Sequence, residues 1–389
     1  MATTLEEDVA SLNAIVASAL SLFTKLKDVL EQICPPSPSP NMTSSKAARG
    51  PQHISPPAIS ALPLAKDCAD LIKAHSSKVA LFLTNDPYNP SAVVSVIRQL
   101  MESPVPGLVA AAQACTEEDY TLLFRRDLIF RAKQVLERLI DLMKWVPLDG
   151  RLADASNSPH LLIGKLWSAC EALVAMASLG VAGHIAELMR QWKETLRDIK
   201  AELKDWSEEV PDEDQGDNQD EHSDDANSDI DAQDLADQLM SGPAPIPCGD
   251  PNEIRPRLNV VIKRLGLMTL FYGAVIKRRI TTAPELPPAL RFTAIKTTDR
   301  LEEAANILAL LPDRFEAVAL TLYEPNTRKA DEVMDLVTRE TAAVRDLLKT
   351  DWEGKDDEFT AWSKKFEDEF MRCGREDAVQ RDPEPQPAT

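Results

Sequence analysis

Apolar residues near the N-terminus fall at Leu5, Val9, Leu12, Val16, Ala19, Phe23, Leu26, Leu30 and Ile33, in alternating steps of four and three without a slip. Such a seam stays on one side of an α-helix, so the spacing predicts a single amphipathic helix of about eight turns. The same rhythm recurs at Leu128, Ala132, Val135, Leu139 and Leu142, and at Ile185, Leu188, Trp192, Leu196, Ile199, Leu203 and Trp206. No hairpin turn separates alternating apolar runs, so nothing predicts strands. The prolines sharpen this map. Eight lie in Pro35–Pro63 and six in Pro211–Pro256, while 1–34, 64–86, 107–146, 160–210, 257–283, 289–311 and 326–382 have none. Proline costs about 3 kcal/mol inside a helix, so these windows read as helices. Ser158-Pro159 and Asp250-Pro251 offer a cap followed by proline, and Thr116-Glu117-Glu118-Asp119 offers acids for a first turn.

The expected fold is all-α, with two antiparallel helical bundles joined by an acidic linker. Residues 1–206 form the first bundle, interrupted by a disordered Pro/Ser-rich loop at 35–63. Residues 207–249 form the linker, with a short helix allowed at Asp231–Met240, and 250–375 form the second bundle. A disordered tail covers 376–389. Low glycine usage, 13 of 389 residues, agrees with helices rather than Gly-turned sheets.

Charge changes the picture in one place. The chain is −20 overall, yet Glu208–Asp237 holds 14 acids and no Lys or Arg, so the remainder is only −6. A broad basic face for nucleic acid is therefore not expected. Ser223 and Ser228 stand beside acids in this window, as acid-directed kinases require, so the segment reads either as a phosphorylation-regulated linker or as a solubilising spacer. The six cysteines (Cys34, Cys68, Cys115, Cys170, Cys248, Cys373) show no CxxC and no histidine at ligand spacing, which signals neither zinc nor a disulfide framework. Acidic residues precede the first lysine, Lys25, unlike a secretory signal, and the uncharged run Val9–Thr24 is short for a membrane helix. A soluble intracellular protein without membrane insertion is expected.

Catalytic patterns are missing. No GxSxG, GxxxxGK or GxGxxG occurs, and His53 and His222 lie in the two expected disordered segments. His184 follows Gly183 at a helix entry, where capping or solvent exposure is expected. Paired carboxylates read as solvated helix faces. The clusters Arg125-Arg126 and Lys277-Arg278-Arg279 read as wet helix faces, and no basic region precedes the N-terminal seam as a leucine-zipper DNA binder needs. Phe359, Trp362, Phe366 and Phe370 share one face of the last helix and read as packing onto the second bundle. No enzyme, cofactor or metal is expected.

Two stretches carry a resemblance. Leu161–Met176, LLIGKLWSACEALVAM, resembles the G-x-x-W-x-x-C helix of the cyclin-D-interacting (GCIP) family, with Gly164, Trp167 and Cys170 at matching spacing. Ala317–Val337 resembles that family's LA-x-x-L-Y-x-P turn through Leu322, Tyr323 and Pro325, with Glu324 where the family often has a second proline. The likeness extends over 117–350. It implies an all-helical protein of vinculin- and talin-like architecture that binds cyclin D and signalling adaptors and restrains the cell cycle from cytoplasm and nucleus. A cytoskeletal adaptor of the vinculin or talin kind is the alternative, and an unrecognised helical enzyme is the alternative from another class. From spacing, Trp167, Cys170, Leu173 and Met176 are expected on a packed face with Trp167 mostly buried. Around Pro325 a helix is expected to end near Tyr323 and another to start with Asn326 or Thr327 as cap, with Tyr323 either part of a plain turn or an exposed anchor.

Overall fold

The computed structural model describes residues 2–33, 60–84, 88–149, 160–209, 244–247, 249–250, 252–287, 291–324 and 326–381. The helices are α1 (Ala2–Ile33), α2 (Ala61–Thr84), α3 (Pro90–Glu102), α4 (Pro104–Ala114), α5 (Leu122–Trp145), α6 (His160–Glu208), α7 (Ile254–Val275), α8 (Arg291–Tyr323), α9 (Thr327–Leu348) and α10 (Glu358–Arg381). No strand occurs among the described residues, and the all-α class stands.

Two compact units divide the chain: 1–184 with 285–302, and 185–284 with 303–389. The expected boundary in the acidic linker is therefore corrected. It falls inside α6, because residues 185–208 carry an apolar seam of their own and pack in the second unit. Just before it, Gly180 breaks the helical path with φ 67° and ψ −177°. That conformation is essentially reserved for glycine, since a Cβ would be strained there even with open space around it.

In the first unit α1 packs against α3, α4 and α5, and α2 against α3 and α4. The predicted seam is the buried one: Leu12, Val16, Ala19, Phe23 and Leu30 are fully or almost fully enclosed, as are Leu128, Ala132, Val135, Leu139 and Leu142. Pro90 and Pro104 open α3 and α4, where a missing N–H costs nothing, and the Asn89 side chain accepts from Ala92 N to cap α3. The loop expected to reach Pro63 ends earlier, since α2 begins at Ala61. Thr116–Asp119 forms a turn rather than a first helical turn. Thr121 caps α5 instead by accepting from Phe124 N, and the Glu302 carboxylate accepts from Leu123 N. By length and composition Glu6–Ile33, His160–Glu208 and Ile254–Ile280 are each long and apolar enough to cross a membrane. Counting only the uncharged run Val9–Thr24 set the first of these too short.

In the second unit α7 packs on α10, and α10 on α9. The helix starts at Ile254, later than the Asp250-Pro251 pair predicts, yet the Asp250 carboxylate still accepts from Ile254 N and Arg255 N and so covers the start of α7. Linker residues at 244–247 are held in place. Trp206 Nε1 donates to the Ala244 carbonyl, Arg255 donates to the Ile246 carbonyl, and Ile246 is buried. The helix at Asp231–Met240 lies outside the described residues, as do the loop at 35–59 and the cap pair Ser158-Pro159. The tail is corrected in part, because α10 continues to Arg381, just short of the next proline.

Pro312 lies inside α8. Lacking an N–H, it cannot accept the duty of bonding the Leu308 carbonyl four residues back, and a buried carbonyl left bare is costly. The fully buried Tyr272 supplies the substitute: its hydroxyl donates to that carbonyl at 2.5 Å. The aromatic face of α10 packs as expected, with Phe366 stacked on Phe271 at 4.7 Å between centroids and Phe359 and Phe370 buried.

Arg279 departs from the wet-face expectation. It sits in a π-helical turn, Ile276–Ile280, that extends α7, and is 1% exposed. Its guanidinium donates to the carbonyls of Leu348 and Lys349, grips both Asp357 carboxylate oxygens at 2.8 Å, and lies 4.4 Å over the Phe359 ring. Asp357 in turn caps α10, accepting from Thr360 N while its own N–H donates to Thr360 Oγ1. One guanidinium thus ties the end of α7, the end of α9 and the start of α10.

Replacing Tyr272 with Phe should destabilise by about 1–3 kcal/mol, the cost of an unpaired buried carbonyl. The cost should shrink in a Pro312→Ala background, where a backbone N–H is restored; equal costs in both backgrounds on denaturant titration would refute the pairing. The Arg279 guanidinium holds the Asp357 carboxyl well below the usual carboxylate range. A lowered folded pKa contributes stability that is complete above the unfolded value of about 4 and is lost as pH falls through the folded one. Thermal midpoints measured from pH 6 down to pH 2 should therefore fall more steeply for the wild type than for Asp357→Asn, and parallel curves would exclude this pair as the cause.

Candidate functional site

The first half of α6 carries the Gly164-Trp167-Cys170 motif, and the structure divides its residues. Cys170, Leu173 and Met176 are buried as expected, whereas Trp167 is 36% exposed and Gly164 is exposed. The expectation that Trp167 is mostly buried is corrected. Helical residues advance about 100° each, so a run of three-residue steps drifts round the helix. The seam actually buried is Ile163, Leu166, Cys170, Leu173 and Ala177, in steps of three and four, and Trp167 lies to one side of it.

What the drift leaves outside is part of Trp167. Leu161 is 69% exposed and Leu179 51% exposed, with Trp167 between them along the helix. Long side chains on a helix lean back over the preceding turn, which sets the Trp167 indole toward Gly164. Nothing lies within 4 Å of where a Cβ on Gly164 would stand, so the flank of the indole is open. One turn on from Trp167, Glu171 pairs with Lys73 of α2 at 2.5 Å. Burial pushes the Cys170 thiol up to about 12, leaving it a packing residue rather than a nucleophile.

The second motif is a turn. α8 ends at Tyr323 and Asn326 caps α9, its side chain accepting from Lys329 N, as the sequence predicts. Leu322 is fully buried. Tyr323 is half-buried, donates its hydroxyl to Glu202 at 2.8 Å, and stands edge-on to Trp206 at 4.8 Å. Burial and the neighbouring carboxylates push its pKa well up, which keeps the hydroxyl a donor. Its ring and hydroxyl are thus both engaged within the second unit, which favours the plain turn over the exposed anchor. Pro325 lies outside the described residues, and so do Ser223 and Ser228.

Sequence reasoning missed two buried polar groups. His184, expected to cap or face solvent, is 4% exposed, with Nε2 2.6 Å from Asp127 Oδ2 and its ring edge-on to Phe124. Arg279 is the other, and its signal was readable: Leu265, Met268, Tyr272, Val275 and Arg279 continue one seam in steps of three and four. A cavity of about 230 Å³ beside Leu322 holds Arg257, Arg264 and Asp331. These polar groups engage protein partners: Arg257 binds Asp331 at 3.2 Å, and Arg264 donates to Thr338 Oγ1 and lies over Phe370. No histidine, cysteine or serine lines it. Among the described residues no group of three or more His, Cys, Asp or Glu could hold a metal ion.

Comparison with known proteins bears on the motif helix. Residues 65–209 match the family model described as Grap2 and cyclin-D-interacting, N-terminal. The match starts earlier than the 117 read from the sequence, and the Ala317–Val337 stretch lies beyond it. An uncharacterized protein of Schizosaccharomyces pombe is 27% identical over 153 residues, 38% of this chain. The chain spans 45% of that relative's length. No solved structure matches. Residues 65–209, which include Trp167 and its open flank, are therefore the part of the chain that is similar to the N-terminal domain of the Grap2 and cyclin-D-interacting family.

Proposed function

We propose that this chain is a non-enzymatic protein-interaction regulator of cell-cycle or signalling control in cytoplasm and nucleus, and that the outer face of α6 around Trp167 binds a cyclin-D-type partner. The observation that carries this reading is the part-exposed Trp167 within the matched domain, flanked by Gly164. Tryptophan offers a large rigid contact area, and contacts of this type carry most of the binding energy where they occur. A 36% exposed indole beside an open flank leaves part of that area available to a partner. The family description supplies the partner class.

Trp167→Ala separates folding from binding. A buried tryptophan would cost about 3–5 kcal/mol on truncation, whereas a side chain on this face should cost about 1 kcal/mol. Affinity for purified cyclin D, read by calorimetry, should drop about thirtyfold or more, the loss of a hot spot worth about 2 kcal/mol. Undiminished affinity in a folded variant would sink the assignment of the face, and absence of binding by the wild-type chain would sink the partner class.

A further inference from the structure

The second half of α6 bears a second seam, and it is basic. Arg190, Lys193, Arg197, Lys200 and Lys204 follow one another in steps of three, four, three and four, so all five lie on one side of the helix. Glu187, Glu194 and Glu208 pair with Arg190, Arg197 and Lys204. Lys193 and Lys200 have no such partner among the described residues.

Those two lysines reach over α7. A Cβ on Gly266 would lie 3.3 Å from the Lys200 Nζ, and one on Gly273 would lie 3.5 Å from the Lys193 Nζ. The order is reversed along the two helices, so the segments run antiparallel with their faces in register. Glycine inside a helix is unfavourable, and here two of them, seven residues apart, thin the exposed face of α7 just where the ammonium groups sit. Between them Leu270 is 63% exposed. Part of this trough is a cleft of about 440 Å³ lined by Lys200, Lys263, Gly266, Leu270 and Glu369 among others. Glu369 is engaged by Arg372. Lys263 and Lys277 mark the trough's two ends on α7, 14 residues or about 21 Å apart at 1.5 Å per residue.

We propose that this trough is a docking site for an acidic amphipathic peptide segment of a protein partner. Two ammonium groups without carboxylate partners, inside a five-residue basic stripe, call for carboxylates from outside. The exposed Leu270 calls for an apolar side chain among them. The concave floor between two helices admits about four turns of helix and does not suit a flat bilayer. On a chain of net charge −20 this local sign reversal is the complementarity such a segment would follow. The site lies in the second unit, is chemically unlike the neutral Trp167 face, and does not depend on the cyclin-D reading.

The test uses the full chain and a fluorescent synthetic 14-residue helical peptide with Glu on one face and a leucine at its centre. Anisotropy at 50 mM salt should show binding that weakens at least tenfold at 300 mM. Lys193→Gln with Lys200→Gln should lose at least tenfold at low salt with an unchanged melting temperature. Leu270→Gln should weaken binding of this peptide but not of an all-Glu peptide. Arg328→Gln with Lys329→Gln removes the same charge from the exposed start of α9 and should have little effect; equal loss in both double variants would reduce the effect to net charge and overturn the proposal. No binding by the wild type overturns it as well. Binding to phosphatidylserine vesicles without peptide binding would give the trough to a membrane instead. Peptide binding that appears only after residues 210–237 are replaced by a Gly/Ser linker would give it to the chain's own acidic stretch, and either result rejects an external peptide partner.

Discussion

A guanidinium enclosed by protein must have its donors met, and meeting those of Arg279 fixes three helix ends of the second unit at once. The Leu348 and Lys349 carbonyls are among those that no α9 N–H can reach, because a helix leaves its last four carbonyls unpaired. Asp357 is the residue from which α10 starts. The side chain that occupies the end of one helix therefore terminates a second and launches a third. The π-helical turn belongs to the same arrangement, since Trp352 Nε1 donates to the Arg279 carbonyl inside it. A bidentate, planar donor is needed for this, and lysine could not span a carboxylate and two carbonyls in the same way.

The same rule, that a buried polar group must be paired, explains what was legible in the sequence and what was not. Seams such as Leu12, Val16, Ala19 and Phe23 are set by burying apolar area, which depends on local periodicity and can be read directly. Pro312 is different. Its tolerance inside α8 rests on Tyr272, 40 residues away in sequence, and no local pattern announces that pairing. Pro90 and Pro104 show a simpler case, because proline forbids a helix interior but suits a helix start, and spacing alone does not say which applies. Trp167 shows the limit of the motif itself. A G-x-x-W-x-x-C spacing fixes neighbours but not the face, and only the steps Ile163, Leu166, Cys170 and Leu173 tell which side is inward. The turn at Tyr323 to Asn326 was legible because proline restricts its predecessor and asparagine caps for reasons confined to a few bonds.

What the packing leaves outside is also selective. Most exposed apolar residues of a folded chain are scattered and need no account. On the first half of α6 Trp167 stands open beside Gly164, and on the second half the basic residues are aligned. Gly180 separates the two segments, so a single continuous stretch of sequence presents two chemically distinct faces on either side of one backbone break.

The two faces would act on binding in different ways. A neutral aromatic contact gains by removing water from apolar area, so its strength should show mainly in how slowly a complex dissociates and should change little with salt. A basic stripe works over roughly a Debye length, so it governs encounter rate and selects partners by sign, and it fades as ionic strength rises. A chain with both can discriminate twice: once on approach, by charge, and once on fit, by the shape beside the indole. On a chain of net charge −20, that division sets an attractive trough for acidic partners within an overall negative field.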